Sequence, residues 1–295
     1  MPSPTQESEN WRGILWAMLS VLGASAMAVS VRGASLGLDT RLIVGYRLFF
    51  TLIILGLTLF LIPHLRSEIR FNHPRAHLIR GFLMACSIHF GFYTLSVVPL
   101  AAAAILFATA PIFATIFSVI LGRETIGPRR SIAIVVGFLG TIIVMRPSSE
   151  LIDINMIYGI ASSIFFGFAL VMSRNLARTD GPISTLISTT AIGLIITIPL
   201  AAPVFEVTTD LTLILWISVL IIFGILRQYA DIQAYRYAQA AVIAPISYFR
   251  MVLIGVMAFF FFEEIPILTT YIGAFIVIAS TIYITNRERI AKNLN

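Results

Sequence analysis

Apolar runs of about 20 residues recur along almost the whole chain, each long enough to cross a bilayer core of roughly 30 Å. They predict helices near 12–33, 42–62, 80–98, 101–121, 131–146, 155–173, 183–202, 211–236, 241–262 and 267–285. The polar stretches between them are short, and the longest, Pro63–Ile79, is too small for a second domain. The eighth run is the least uniform, because it holds Arg227, Asp231 and Arg236. The first run reads as a span and not as a cleaved leader: Pro2–Asn10 is acidic where a leader is basic, and nine further runs follow.

Composition sharpens this pattern into a class. Hydrophobic residues make up 58% of the 295 positions and charged residues 12%, against about a quarter charged in ordinary soluble domains. A soluble domain and a disordered chain are both excluded. Cys86 is the only cysteine, which excludes a disulfide scaffold and fits a small packing residue.

The net charge of +6 would suggest nucleic acid if the basic residues shared a face. They are instead distributed by side of the membrane. With both termini cytoplasmic, the cytoplasmic segments carry Arg12, the Arg66–Arg80 group, Arg123, Arg129, Arg130, Arg174, Arg178, Arg236, Arg287, Arg289 and Lys292. The opposite side receives Arg32, Arg41 and Arg146. That asymmetry over short loops is the positive-inside rule, so the charge orients helices and nucleic acid is not an expected partner.

Ten spans divide as five plus five, and an odd number per half turns the second half upside down. Sliding 101–144 over 241–284 pairs Ala101 with Ala241, Ala104 with Ala244, Glu124 with Glu264, Ile132 with Ile272, and Thr141-Ile142 with Thr281-Ile282. Glu124 then belongs to a cytoplasmic loop and Glu264 to an external one. Inverted repeats of this kind characterise secondary transporters, which hold substrate near the midplane between halves.

From Arg80 to Pro147 the sequence resembles the EamA branch of the drug/metabolite transporter superfamily. The matching features are Arg80-Gly81, Tyr93 before Pro99-Leu100-Ala101, Pro111, Gly122-Arg123-Glu124, and Gly137-Phe138-Leu139-Gly140 ending at Arg146-Pro147. Ala244-Pro245, Tyr248, Arg250 and Phe262-Glu263-Glu264 repeat the pattern in the second half. The resemblance implies an all-α membrane protein of ten transmembrane helices in two inverted five-helix repeats, 1–148 and 149–295. It also implies a bacterial inner-membrane carrier of small metabolites. Within the superfamily the pattern is most similar to S-adenosylmethionine-uptake carriers, with riboflavin and amino-acid carriers close to it.

Ionisable side chains inside spans cost roughly 2.5–3.5 kcal/mol on insertion scales, so they usually face a cavity or a partner. Arg47 lies near the start of the second span and Arg250 near the middle of the ninth. A guanidinium binds carboxylate or phosphate in bidentate fashion, so the two together favour an anionic or zwitterionic substrate. Arg47, close to a helix end, also fits a structural arginine that snorkels to the interface. Arg227 and Asp231 share a helix face four residues apart. They suit a coupling pair or, equally, a neutralised pair that lets a polar helix insert. Asp231 is the only carboxylate within a predicted span.

Trp16, Tyr93, Gln228, Tyr229, Gln233, Ser247 and Tyr248 supply aromatic and hydrogen-bonding groups near these charges, as substrate pockets require. His89 is a candidate proton carrier, against the plainer reading of a hydrogen-bonded packing residue. Trp11, Tyr158 and Trp216 fit interfacial belts, and Phe259–Phe262 is expected against lipid. Pro111 and Pro245 are expected to bend their helices. Gly159, Ser163 and Gly167 form a small-residue stripe for close helix contact.

Enzyme signatures are absent: there is no Gly-x-Ser-x-Gly, His-Glu-x-x-His or phosphate-binding loop. His73 and His77 fall in a basic loop read as lacking carboxylate company, so no metal is expected. No cofactor is expected either. The expectation is therefore a non-enzymatic carrier working by alternating access, with proton or exchange coupling, as a monomer or homodimer.

Overall fold

The computed structural model describes residues 4–121, 128–145, 154–237 and 240–293. Among them there are eleven α-helices and no strand: α1 Pro4–Ala34, α2 Thr40–Leu61, α3 Pro74–Val97, α4 Leu100–Phe107, α5 Ala110–Ile120, α6 Pro128–Met145, α7 Asn155–Thr179, α8 Gly181–Ala201, α9 Leu211–Tyr237, α10 Ala240–Phe262 and α11 Leu268–Asn293. Seven segments are long and apolar enough to cross a membrane: Trp11–Ala34, Thr40–Leu61, Pro74–Val97, Leu100–Ile120, Asn155–Ser173, Ile183–Val204 and Leu211–Ala230. Large apolar side chains cover the outside. Phe49, Phe50, Ile53, Leu57, Phe60 and Leu61 are exposed along α2, as are Phe259, Phe260 and Phe261 on α10. Such a surface is matched to lipid and not to water. Phe262 departs from the expected lipid contact, being partly buried with its ring stacked on Trp216.

The helices start where their sequences say they can. Pro74, Pro111 and Pro182 occupy first turns of α3, α5 and α8, where a missing N–H costs nothing. Asp39 caps α2, its carboxylate accepting from the Arg41 amide at 2.8 Å and from the Arg41 guanidinium at 2.8 and 2.9 Å. The bonds from Arg41 hold the Asp39 carboxyl below its ordinary range despite partial burial.

The fourth expected span is not simply bent at Pro111 but broken. Ala108 and Thr109 form a turn between α4 and α5. The Leu106 carbonyl beside the break accepts from Thr109 Oγ1 at 2.6 Å and from Ser163 Oγ on α7 at 2.8 Å. A hydroxyl of the turn and one of α7 thus satisfy a carbonyl at a break, which an apolar environment would otherwise penalise. No matching break occurs in α10, which runs unbroken through Pro245.

Packing follows a regular scheme. α1 lies against α9 and α10, while α7 lies against α3 and the α4–α5 pair; α3 meets α8, and α2 meets α9. α2 also packs on α8, α6 on α11, and α4 on α10. Exchanging α1 with α7, α2 with α8, α3 with α9, α4–α5 with α10 and α6 with α11 turns the α1 contacts into the α7 contacts and α3–α8 into α2–α9, and leaves α2–α8, α6–α11 and α4–α10 as they are. Close approach needs glycine at two places. A Cβ on Gly33 would come within 2.3 Å of the Trp216 ring, and one on Gly167 within 2.8 Å of the α5 backbone at Ala110 and Ala114. The Gly159–Ser163–Gly167 stripe is therefore a packing surface of α7.

Each end of the bundle is tied by polar contacts. At one end, Arg32 in the last turn of α1 donates to the carbonyls of Ser96 and Val98 and to Glu264. Glu264 also accepts from the Leu100 amide at the start of α4. At the other end, His77 and Arg80 of α3 meet the α7–α8 junction. This corrects two sequence expectations. Residues 73–77 do have a carboxylate partner, Asp180, and His77 is a buried residue of the first helical turn and not of a loop. Arg80 is tied to α7 and α8 as well: it donates to Ser173 Oγ, the Thr185 carbonyl and Thr189 Oγ1.

Candidate functional site

Between the helices lies a cavity of about 320 Å³. Its charged wall is made by Arg47 of α2, Arg227 of α9 and Arg250 of α10. The lining also includes the hydroxyl-bearing residues Ser87 of α3, Ser162 and Ser163 of α7, and Thr189 and Thr190 of α8. Phe92, Phe107, Phe166, Met27, Met84 and Leu48 add apolar surface. Phe107 and Ala110 flank the α4–α5 break, so the broken helix opens onto the cavity.

Arg47 is the best defined of the charged groups. It is 8% exposed, and its guanidinium carbon sits 5.3 Å from the centre of the Phe92 ring, a cation–π arrangement. The other guanidinium that bears on it is Arg227, whose like charge repels it. Among the described residues no hydrogen-bond acceptor is assigned to Arg47. A ligand with a carboxylate or phosphate would supply that acceptor and relieve the repulsion.

The hydroxyl wall is rigid. Ser87 Oγ donates to the Ser162 carbonyl at 3.0 Å, and Ser162 Oγ donates back to the Ser87 carbonyl at 2.8 Å. This reciprocal pair clamps α3 to α7 at the cavity surface. Thr189 and Thr190 donate to carbonyls one turn earlier in α8; Thr189 Oγ1 also accepts from Arg80, and the Thr190 oxygen is left as an acceptor for a ligand. The cavity therefore offers positive charge, hydroxyl groups and aromatic surface to one ligand.

The EamA-like transporter family matches two stretches of the chain, residues 11–146 and 154–286. The chain belongs to the EamA-like transporter family. An S-adenosylmethionine uptake transporter of Rickettsia bellii is 27% identical over 277 residues, covering 94% of each chain. A riboflavin transporter of Vibrio cholerae is 25% identical over 225 residues, covering 76% of each. One solved crystal structure shares the fold, with a TM-score of 0.59 at 20% identity over 96% of this chain and 98% of its own.

Of the residues singled out from sequence for a pocket, the family member's structure brings Arg47, Arg227, Gln228 and Arg250 together on the cavity. It places the others elsewhere or leaves them outside the described residues. Trp16 and Tyr229 meet edge to face at 5.6 Å, and Gln233 donates to the Tyr229 hydroxyl at 2.8 Å. This group sits where α1 meets α9, apart from the cavity lining. The Gln233 side-chain carbonyl is buried there with no partner among the described residues. Tyr93 packs edge to face on Tyr158 and donates to Asn155, on the exposed side of α3. His89 shares a hydrogen bond with Thr197 Oγ1 at 2.9 Å and does not line the cavity, which is the packing reading. The side chains of Asp231, Ser247 and Tyr248 lie outside the described residues, as does Glu124.

Sequence reasoning missed the hydroxyl wall. Its signal was present as the adjacent pairs Ser162-Ser163 and Thr189-Thr190 within apolar helices. Single hydroxyl residues are common in membrane helices because each can bond its own backbone. Only the fold distinguishes those that also face a cavity.

Proposed function

We propose that the chain is a secondary carrier that moves a small anionic or zwitterionic organic metabolite across a bacterial inner membrane by alternating access. The observation that carries this reading is the convergence of Arg47, Arg227 and Arg250 on one cavity beside a broken helix. Broken helices at a midplane site are a recurring device of secondary transporters. The relatives, an S-adenosylmethionine uptake transporter and a riboflavin transporter among them, support a carrier over an enzyme.

Two observations support a division into two inverted five-helix repeats, 1–148 and 149–295. One is the pair of separate family matches. The other is the packing scheme, in which exchanging the halves reproduces the helix contacts. On this reading both termini are cytoplasmic, the Arg32–Glu264 contact closes the outer end, and the His77–Asp180 contact closes the inner end. The substrate carboxylate binds Arg47 and Arg250, its polar groups bind the hydroxyl wall, and its body lies on Phe92, Phe107 and Phe166.

The same aromatic surface favours a second reading, a flat heteroaromatic substrate of the flavin kind, which the riboflavin transporter of Vibrio cholerae also suggests. A thermal-shift panel on purified protein separates the two, since ligand binding to the folded state raises its apparent stability. The panel contains S-adenosylmethionine, amino acids, dicarboxylates and riboflavin. A stabilising compound is then tested for saturable counterflow in proteoliposomes. Counterflow by an anionic or zwitterionic compound supports the first reading, and by riboflavin the second. Absence of any shift across the panel contradicts both.

A further inference from the structure

The inner end of the bundle holds a titratable group that the cavity does not use. His77 is 3% exposed and Asp180 is 1% exposed. His77 belongs to α3, while Asp180 sits between α7 and α8, so the contact spans the two sets of helices that exchange in the packing scheme. His77 Nε2 lies 3.0 Å from Asp180 Oδ2, and His77 Nδ1 lies 2.7 Å from Ser188 Oγ on α8. The Asp180 carboxylate also accepts from the His73 amide at 3.1 Å.

Proton arithmetic makes this a two-state site. Asp180 is an acceptor, so His77 Nε2 keeps its hydrogen, and the proton that comes and goes is the one on Nδ1. Ser188 Oγ has one hydrogen and two places for it, Nδ1 at 2.7 Å and the Thr185 carbonyl at 3.1 Å. When the imidazole is charged, Nδ1 donates to Ser188, and Ser188 donates to Thr185. When it is neutral, Ser188 turns and donates to Nδ1. The Thr185 carbonyl then keeps its bonds from Thr189 and Arg80. Both states are fully bonded, but only the charged one gives the buried carboxylate a counter-charge.

The remaining surroundings do not replace His77. His73 Nδ1 stands 3.4 Å from Asp180 Oδ1, but its side chain is 56% exposed. Arg80, one turn on in α3, is committed to Ser173, Thr185 and Thr189. From the segment before α3, Arg70 presents its amide to Ser184, Phe71 sets its ring against His77 at 5.1 Å, and Glu68 is paired with His64. α8 contributes only hydroxyls to the contact, and the side chains of Arg174 and Arg178 on α7 lie outside the described residues.

We propose that His77 is a proton-binding site, with Asp180 its fixed counter-charge and Ser188 its switching hydroxyl, and that the charged form holds α3 against α8. Proton release loosens this end. The effect reaches the cavity over one residue, because Thr189 and Thr190 follow Ser188 directly and both line it. Only the consequence for transport rests on the carrier reading. The site itself is testable without a substrate.

The test is hydrogen–deuterium exchange of the full chain in lipid nanodiscs, followed over Thr185–Thr190 and corrected for the intrinsic pH dependence of exchange. In the wild type, exchange rises about ten-fold between about pH 5.5 and about pH 8. His73→Gln keeps the step, and His77→Gln removes it. If His77→Gln does not fold, Asp180→Asn serves: losing the negative charge weakens proton binding and moves the step to lower pH. A flat wild-type profile, a step that survives His77→Gln, or a step unmoved by Asp180→Asn overturns the proposal.

Discussion

Arg32 and Glu264, 232 residues apart in sequence, meet at 2.7 Å where α1, α3, α4 and the α10–α11 connection converge. The backbone directs this contact. Glu263 adopts a left-handed φ of 55°, unusual for a residue with a side chain, and turns the chain so that the Glu264 amide reaches the Ala258 carbonyl. The Glu264 carboxylate is thereby aimed at both Arg32 and the Leu100 amide. One carboxylate thus gathers three chain segments.

Glu264→Gln keeps the shape and removes the charge, leaving a largely buried guanidinium with only carbonyl partners. The expected loss is about 1–3 kcal/mol, read as a lower melting temperature in nanodiscs. Glu263→Gln, on an exposed neighbour, leaves the melting temperature unchanged. Equal effects of the two substitutions would remove the ion pair as the cause.

The tight crossing of α7 and α5 makes a second prediction. A Cβ at Gly167 meets backbone atoms at 2.8 Å, which cannot move without moving a helix. Gly167→Ala is expected to cost about 1–3 kcal/mol through overpacking. At Gly56 a Cβ meets nothing within 4 Å. There the same change removes only the helix penalty of glycine and stabilises by about 0.5–1 kcal/mol. Chemical unfolding of the two variants in the same detergent checks the contrast, and a loss at Gly56 as large as at Gly167 would refute it.

Acid stability depends on Asp180. Burial opposes ionisation of its carboxyl, but the His73 amide and the His77, Asn72 and His73 side chains outweigh burial and hold it well below the usual carboxylate range. A depressed native value contributes stability above the unfolded value of about 3.9, lost as pH falls through the native value. The wild type is therefore expected to lose stability progressively below about pH 4. Asp180→Asn is less stable at neutral pH and shows a shallower acid dependence. A variant with the wild-type acid profile would assign that dependence to other carboxylates.

How much of this was legible in the sequence depended on the range of the interactions. Helix positions follow from local hydropathy: the run expected at 42–62 is α2 at Thr40–Leu61, and the run expected at 211–236 is α9 at Leu211–Tyr237 despite its charges. The arginines on the cavity were visible because charge inside an apolar run is costly. The α4–α5 break was half visible. Pro111 signalled a distortion, but the turn at Ala108–Thr109 depends on Ser163, a residue of another helix. Least visible was His77–Asp180, since neither residue lies in an apolar run and their pairing across 103 positions is made only by the fold. Reading His77 as a loop residue followed from that.

The central claim is that the arginine cavity binds the substrate. It is tested most directly by counterflow, into proteoliposomes carrying wild type, Arg47→Gln or Arg250→Ala, of the radiolabelled anionic or zwitterionic compound that the thermal-shift panel selects, with folding checked by size exclusion. The account predicts saturable counterflow by the wild type. It predicts a fall of about 100-fold in either variant, the scale of removing one partner of a buried charged contact. Folded variants that transport as the wild type does would contradict it.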